Sequence, residues 1–242
     1  MFKNYIFDLY GTLIDIRTDE SSPELWEKMV LYYGYKGANY TPAELQLKYK
    51  EYCSAEITAT KKAYPDHQHV DIDLTRVFTR LYENKGITVS LECAQQTAQT
   101  FRCLSTEFIK LYKGVKDLMD TLKAKGKKIF LLSNAQHDFT VPELKMLGLY
   151  DYFDDIIISS DVFCKKPDPH MFDFIFGPHK LKKEETVMIG NDFLADIKCA
   201  YDYGIKSLYI HQKISSPITG KLLSDWKVMN GSVPRIKTMI VR

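Results

Sequence analysis

The order in which strand-like and helix-like segments follow one another is the feature that most constrains the fold of this chain. Residues 4–8 form a short apolar run that ends at an aspartate, and similar runs lie at 128–133, 155–160 and 186–190. A fifth run, at 207–211, is shorter. Short runs of aromatic, aliphatic and β-branched residues that stop at polar or turn residues are typical of buried strands. The sequence therefore predicts a buried sheet built from these five segments.

Amphipathic helix patterns separate the later strand segments. The clearest of them ends at Gly126 and has four apolar residues on one helical face: Val115, Leu118, Met119 and Leu122. Apolar residues at this spacing indicate a helix that packs one face on a core. Because strands and helices alternate, consecutive strands should be parallel, with the helices covering both faces of the sheet. We therefore predict an α/β fold with a doubly wound parallel, Rossmann-like sheet.

The stretch between the first and second strand segments has a different character. From about residue 16 to 110, strand signals are few and amphipathic helix patterns follow one another. One of these helices has Thr41 as its predicted N-cap and Glu44 as the glutamate of a capping box. An all-helical block between two strands of an α/β domain is an insertion. We therefore predict a helical cap domain at 16–110 and a core domain formed by 1–15 and 111–242.

Composition limits the possible partners and compartments. The 33 Lys and Arg residues nearly balance the 31 Asp and Glu residues, and no long basic run is present, so we expect neither nucleic acid nor an anionic membrane as a partner. The five cysteines contain no CxxC pair, which favours reduced thiols in a cytoplasmic protein. The apolar run at 5–14 is interrupted by Asp8, so it resembles neither a signal peptide nor a membrane span.

Polar residues cluster where the strand segments end. In an open parallel sheet, ligands bind at the carboxyl ends of the strands, so these side chains should meet in one crevice. A carboxylate, hydroxyl groups, a lysine and further acids could together bind an anion, hold a divalent cation and supply a nucleophile. Any single cluster is equally typical of a turn or a helix cap. The four clusters are Asp8 with Tyr10 and Thr12, Ser133 with Asn134, Lys166, and Asn191 with Asp192 and Asp196.

These clusters resemble the four motifs of the haloacid dehalogenase superfamily. The first is Phe7-Asp8-Leu9-Tyr10-Gly11-Thr12-Leu13, the second Leu131-Leu132-Ser133-Asn134, the third Lys166-Pro167-Asp168-Pro169, and the fourth Ile189-Gly190-Asn191-Asp192 continuing to Asp196. Their order and spacing agree over essentially the whole core, and the helical insertion lies where that superfamily places its first type of cap. The resemblance implies a hydrolase that acts on a small-molecule substrate.

The resemblance also implies a role for each residue. Asp8 would attack the substrate and form a covalent intermediate, and Thr12 would hydrogen-bond the anionic group of the substrate. Lys166 would screen the negative charges of Asp8 and of the substrate. The acid Asp196 would orient the lysine. The predicted catalytic residues are Asp8, Tyr10, Thr12, Ser133, Asn134 and Lys166.

Magnesium is the cofactor that the resemblance implies, because a cation lowers the repulsion between a carboxylate and a phosphate. The predicted ligands are Asp8, the backbone carbonyl of Tyr10 and the fourth motif. In the commonest pattern of that motif an aspartate directly follows the glycine, whereas here the position is Asn191 and Asp192 comes next. Either of these two residues could therefore be the ligand.

Tyr10 occupies the position where phosphatases of the superfamily usually have a second aspartate, which protonates the leaving group. Haloacid dehalogenases proper have a tyrosine there, and a halide needs no proton. The acidic fourth motif favours a phosphatase, and no cap arginine can be assigned to a halide (Arg76, Arg80, Arg102). We therefore predict a Mg²⁺-dependent phosphatase acting on a small phosphorylated metabolite. The first alternative is a metal-independent 2-haloacid dehalogenase, and the second alternative is a catalytically weak binding protein.

Overall fold

The computed structural model describes residues 2–241. Its strands are β1 (Asn4–Phe7), β2 (Ile14–Thr18), β3 (Thr106–Leu111), β4 (Lys128–Ser133), β5 (Asp155–Ile158), β6 (Thr186–Gly190), β7 (Lys206–Ile210) and β8 (Trp226–Val228). Its α-helices are α1 (Pro23–Tyr35), α2 (Pro42–Ala63), α3 (Leu74–Glu83), α4 (Leu91–Ser105), α5 (Val115–Ala124), α6 (His137–Met146), α7 (Ser159–Val162), α8 (His170–His179), α9 (Cys199–Tyr203) and α10 (Pro234–Ile240). A π-helical turn, Phe193–Lys198, leads directly into α9.

The main sheet is parallel and has the strand order β5-β4-β1-β6-β7-β8. The first strand lies inside it, with Phe7 opposite Leu131 on one side and opposite Ile189 on the other. All five strand segments predicted from the sequence are in this sheet. The prediction for 155–160 was too long, because β5 ends at Ile158 and the next two serines begin α7.

Side chains of the central strands alternate between the two faces of the sheet. Tyr5 and Phe7 of β1 belong to an apolar cluster that includes residues of α5 and α10. Ile6, between them, belongs to a second cluster with residues of α8 and α9. Successive side chains of a strand point to opposite faces, so helices cover both faces of the sheet. The predicted doubly wound α/β fold is confirmed.

Helices α1 to α4 lie between β2 and β3 in the chain and share an apolar cluster, to which Phe139 of α6 also belongs. The expectation of an all-helical block was wrong at its two ends, because β2 and β3 pair as an antiparallel two-stranded sheet. The chain leaves and re-enters the core side by side, so each of the two segments satisfies the backbone polar groups of the other. The division into a cap domain and a core domain stays a prediction.

The predicted capping of α2 is correct for Thr41 and wrong for Glu44. Thr41 caps α2, since its Oγ1 accepts a hydrogen bond from the backbone N–H of Glu44 at 3.2 Å. The carboxylate of Glu44, however, pairs with Lys85 at 2.7 Å instead of completing a capping box. Beyond β7, residues 219–225 form neither a helix nor a strand and lead into β8, which pairs with β7. Asp225 fixes this edge strand by accepting a hydrogen bond from the backbone N–H of Ser207 at 3.0 Å.

The five cysteines are unbonded to one another. Among residues 2–241, no helix combines the length and the apolar character needed to cross a bilayer.

The loop between α2 and α3 is hydrogen-bonded to the loop that follows α7. The backbone N–H groups of Gln68 and His69 donate to Oδ2 of Asp168 at 2.6 and 3.2 Å, and the N–H of Lys165 donates to the carbonyl of His69 at 2.9 Å. The other carboxylate oxygen of Asp168 accepts from the N–H of His170. These bonds hold the helical insertion over the carboxyl edge of the sheet.

We expect Asp168→Asn to lower the free energy of unfolding by about 1–3 kcal/mol, the usual range when a buried carboxylate loses hydrogen bonds. Burial alone would raise the pKa of Asp168, but the N–H groups of His170, His69 and Gln68 lower it. A folded-state pKa below the unfolded value contributes stability above the unfolded pKa, and this contribution is lost as the pH falls through the folded pKa. Melting temperature measured between pH 3 and pH 7 tests this.

The wild-type protein should therefore lose more stability on acidification than Asp168→Asn does. Asp66→Asn, an exposed aspartate of the same loop, is the matched control and should behave like the wild type. Equal acid sensitivity of wild type and Asp168→Asn would contradict the prediction.

Candidate active site

Asp8 is the first residue after β1 and lies at the carboxyl edge of the sheet. Its backbone N–H continues the sheet by donating to the carbonyl of Ile189 at 2.9 Å. The chain then turns sharply at Gly11, whose φ of +83° favours glycine. A Cβ atom at Gly11 would also collide with the amide of Asn191. This turn folds Thr12 back beside Asp8.

Both oxygens of the Asp8 carboxylate have partners. Oδ1 accepts a hydrogen bond from Nζ of Lys166 at 2.9 Å, and Oδ2 accepts one from Oγ1 of Thr12 at 3.0 Å. The Asp8 side chain is 12% exposed, whereas that of Lys166 is 1% exposed. The carboxylate is therefore charge-paired from the protein side and accessible from the other.

Lys166 uses all three hydrogens of its ammonium group. They bind Asp8, the carbonyl of Leu132 at 2.7 Å and Oδ1 of Asp196 at 2.6 Å. Burial alone would lower the pKa of Lys166, but the carboxylates of Asp196 and Asp8 raise it. Burial and the nearby charge of Asp8 raise the pKa of Asp196 to about 7, while Lys166 opposes that shift. The lysine is thus held as a cation between two acids.

Glycine makes room for this arrangement at a second place. A Cβ atom at Gly190, the last residue of β6, would collide with the carboxylate of Asp196. The other oxygen of Asp196, Oδ2, accepts from the backbone N–H of Asp192 at 2.8 Å. Asp196 therefore orients Lys166 and fixes the start of the helical turn that follows β6.

The residues of the second motif have two different environments. The amide of Asn134 holds the backbone of Lys166 from both sides, donating to its carbonyl and accepting from its N–H, each at 2.8 Å. The hydroxyl of Ser133 is buried and has no hydrogen-bond partner within residues 2–241. A buried hydroxyl without a partner is costly. A phosphate oxygen would satisfy it.

The fourth motif contributes an amide and a carboxylate. The amide nitrogen of Asn191 faces two acceptors, Oδ2 of Asp8 at 3.2 Å and the backbone carbonyl of Tyr10 at 3.0 Å. The amide is assigned this orientation because the reverse one would place its oxygen against these acceptor oxygens. Asp192 caps the helical turn, with Oδ1 accepting from the N–H groups of Leu194 and Ala195 at 2.8 and 2.7 Å.

Two serines that follow β7, and that no motif of the sequence indicated, also belong to the site. Ser216 donates to Oδ2 of Asp192 at 2.6 Å, and the hydroxyl of Ser215 lies 3.2 Å from the amide of Asn191. The signal that could have found them is their position, because they follow the carboxyl end of a parallel strand.

A cavity of about 200 Å³ opens above Asp8. The predicted site residues on its wall are Asp8, Tyr10, Asn134, Lys166, Asn191, Asp192 and Asp196. It adjoins a larger cleft of about 510 Å³, which runs under the helical insertion and shares Tyr10 and Asn134 with it. The cavity has the dimensions of a small anionic group, and the cleft could accept the rest of a substrate.

The donor groups of the cavity suit a hard cation. Within residues 2–241, no cluster of three or more histidine, cysteine or acidic side chains is arranged to bind a metal. Magnesium, however, usually binds through one or two carboxylates completed by water and substrate phosphate. Asp8, Asp192 and the carbonyl of Tyr10 provide such a set, and the unpartnered Ser133 is suited to a phosphate. The donor set is therefore compatible with Mg²⁺.

The side chain of Tyr10 belongs to a polar cluster that no motif of the sequence indicated. Its hydroxyl donates to Oε2 of Glu143 on α6 at 2.6 Å and lies 3.1 Å from Oγ1 of Thr140. The other oxygen of Glu143 accepts from Nε of Arg102 on α4 at 2.6 Å. The Arg102 guanidinium lies 5.3 Å from the centroid of the Tyr10 ring. Burial and the Glu143 charge raise the pKa of Tyr10.

The fold and this geometry define a class: α/β proteins with a helical insertion after the first strand and a buried lysine between two aspartates at the carboxyl edge of the sheet. Comparison with known families gives the same result. Residues 5–210 match the model of the haloacid dehalogenase-like hydrolases. The chain belongs to that family, as the motifs predicted.

Curated relatives of the chain are named as phosphatases. The pyrophosphatase PpaX of Halalkalibacterium halodurans is 30% identical over 104 residues, which is 43% of this chain and 48% of that protein. A phosphoglycolate phosphatase of Nitrosococcus oceani is 36% identical over 91 residues, 37% of this chain and 40% of that protein. The matched region thus spans less than half the length of either relative.

One solved structure of similar fold is named as a dehalogenase and not as a phosphatase. The 2-haloacid dehalogenase of Pseudomonas syringae pv. Tomato superposes with a TM-score of 0.63, covers 98% of this chain and 99% of its own, and is 21% identical. At this level of identity the likeness supports the fold alone.

Proposed function

We propose that this protein is a Mg²⁺-dependent phosphatase that hydrolyses a small phosphorylated metabolite through a covalent intermediate on Asp8. The observation that carries the proposal is the environment of Asp8. Its carboxylate borders the cavity while Lys166 and Thr12 hold it from behind. A carboxylate fixed in this way is poised for attack on a bound electrophile.

The residues around Asp8 support each part of the reaction. Lys166 offsets the charge of the nucleophile and of the incoming phosphoryl group. The unpartnered hydroxyl of Ser133 would hydrogen-bond a phosphoryl oxygen, where charge is present throughout the reaction, while the hydroxyl of Thr12 holds Asp8. Asn134 fixes the backbone of Lys166, and Asp196 fixes its ammonium group. These two residues act by positioning the lysine.

Magnesium would be held by Asp8, the carbonyl of Tyr10 and Asp192, with Asn191 beside them. When bound, the ion would reduce the repulsion between the carboxylate and the phosphate. The two curated relatives, named as a pyrophosphatase and a phosphoglycolate phosphatase, support a phosphate substrate.

A 2-haloacid dehalogenase is the second candidate, and Tyr10 is the observation that favours it. Its hydroxyl is bound to Glu143, and a halide leaves without a proton. Against this candidate, the guanidinium of Arg102 is also committed to Glu143, so this cap arginine is paired with a carboxylate. The acidic Asp192 on the cavity wall is a second argument for phosphate.

The test is phosphate release from 4-nitrophenyl phosphate by the purified protein, with Mg²⁺ or with a chelator. An aryl leaving group needs little protonation, so the assay does not depend on the role of Tyr10. We expect turnover with Mg²⁺ and a loss of about 10²-fold or more with chelator, the scale of one lost electrostatic contact to the transition state. Halide release from a 2-haloacid is measured in parallel.

Halide release that is insensitive to the chelator, without phosphate release, would replace the proposal by the dehalogenase. If a folded preparation releases neither product, the proposed function fails, and a binding protein with this fold is the remaining candidate.

A further inference from the structure

The acidic groups on the cavity wall are all committed to other contacts. Asp8 is the nucleophile of the proposed function. Asp192 accepts hydrogen bonds from two backbone N–H groups and from Ser216. Asp196 is 1% exposed and pairs with Lys166, which itself binds three acceptors. None of the carboxyl groups on the described part of this wall is left to protonate a leaving group.

Tyr10 also lines the cavity, but its hydroxyl hydrogen is directed to α6. The bond to Glu143 is 2.6 Å long, and the guanidinium of Arg102 pairs with the other oxygen of the same side chain, also at 2.6 Å. Hydrogen bonds to an ionised acceptor are roughly twice as strong as neutral ones. Transfer of this proton to a leaving oxygen would break that bond and leave a phenolate beside Glu143.

We infer that the substrate is a phosphate whose leaving group departs as a stable anion, namely an acyl phosphate or a phosphoanhydride, and that simple alkyl phosphates are poor substrates. This inference rests on the proposed phosphatase function and names its substrate class. A carboxylate or phosphate leaving group needs no proton at neutral pH, whereas an alkoxide does.

The two steps balance without a protein acid. In the first step, an Asp8 oxygen bonds to phosphorus and the bond from phosphorus to the leaving oxygen breaks. The leaving group takes that electron pair as a carboxylate or phosphate anion. In the second step, water attacks phosphorus and the Asp8 carboxylate is released. Both hydrogens of the water remain on the inorganic phosphate, which then equilibrates with solvent.

The cleft beside the cavity contains a cation suited to such a leaving group. Lys165 lies on its wall together with Arg102, and Arg102 is already paired with Glu143. The acids on the same wall are Glu20 and Asp71, and Asp71 is engaged by the hydroxyl of Ser159. An ammonium group near the leaving oxygen would stabilise the negative charge that develops there.

The test compares acetyl phosphate with ethyl phosphate, which match closely in size, in the presence of Mg²⁺. General acid catalysis contributes about 10²–10⁴-fold, so we expect kcat/KM for acetyl phosphate to exceed that for ethyl phosphate by at least about 10²-fold. A series of aryl phosphates should show a steep decrease in rate as the pKa of the leaving phenol increases.

Tyr10→Phe supplies the matched variant, because it removes the hydroxyl and keeps the ring. We expect the ratio between the two substrates to stay the same in Tyr10→Phe. Comparable turnover of ethyl and acetyl phosphate would overturn the inference and leave the phosphatase function intact, as would a selective loss of ethyl phosphate turnover in Tyr10→Phe. If neither phosphate is hydrolysed and no phosphate is trapped on Asp8, the proposed function fails and the inference with it.

Discussion

Replacing Asp8 with asparagine is expected to lower kcat for aryl phosphate hydrolysis by about 10⁴-fold or more, the scale seen when a covalent nucleophile is removed. The amide has the same size as the carboxylate but cannot form the acyl phosphate intermediate. The measurement is steady-state phosphate release, combined with acid quenching and mass determination to detect phosphate on the protein. The wild type should carry one phosphate during turnover, and Asp8→Asn should carry none.

Two controls make this result specific. Circular dichroism and thermal melting should show that Asp8→Asn is folded, because Lys166 keeps its bonds to Asp196 and to the carbonyl of Leu132. Asp66→Asn, in an exposed loop, makes the same chemical change and should retain wild-type turnover. Full activity of a folded Asp8→Asn protein would exclude the covalent mechanism.

Replacing Lys166 with methionine should give the largest loss of stability among the site variants. Asp8 and Asp196 would then face each other without a cation, and breaking a buried ion pair costs about 3–5 kcal/mol. For a chain of this size, 1 kcal/mol corresponds to about 2–4 °C, so the melting temperature should fall by about 6–20 °C. Turnover should fall as well, by about 10²–10³-fold, because the charge that offsets nucleophile and phosphate is gone.

The double variant Lys166→Met with Asp196→Asn separates these two effects. Replacing Asp196 with asparagine should restore part of the stability, because one of the two buried carboxylates that lost their cation is then neutral. Turnover should remain low in the double variant, because the cation beside Asp8 is still missing. A melting temperature of Lys166→Met equal to that of the wild type would contradict the role assigned to this lysine.

The sheet was predictable from the sequence because its central strands are apolar on both faces. Asp8 and Asp196 were identified from the same signal, since both follow such strands. In contrast, β2 and β3 have mixed burial and β8 has three residues. Such segments lack the apolar pattern on which strand prediction depends. They are recognised as strands only from their hydrogen-bonded partner strands in the folded chain.

The partners of Tyr10 were not predictable for a different reason. Glu143 and Arg102 look like ordinary charged residues of two amphipathic helices. Their contact depends on how α4 packs against α6, and no local pattern of the chain encodes that packing. The first motif shows that Tyr10 lies two residues after the nucleophile Asp8. Only the three-dimensional structure shows which groups the Tyr10 side chain binds.

The cluster of Tyr10, Glu143 and Arg102 also limits how this sequence can evolve. An aspartate at position 10 would give the site the acid it lacks, yet its shorter side chain would remove the hydroxyl donor that Glu143 now uses. Glu143 would then keep the ion pair with Arg102 but lose its second partner. The benefit of such a change therefore depends on the residue at position 143, and the two positions should be epistatic. An enzyme of this lineage that acquired the aspartate would be expected to have replaced the glutamate first.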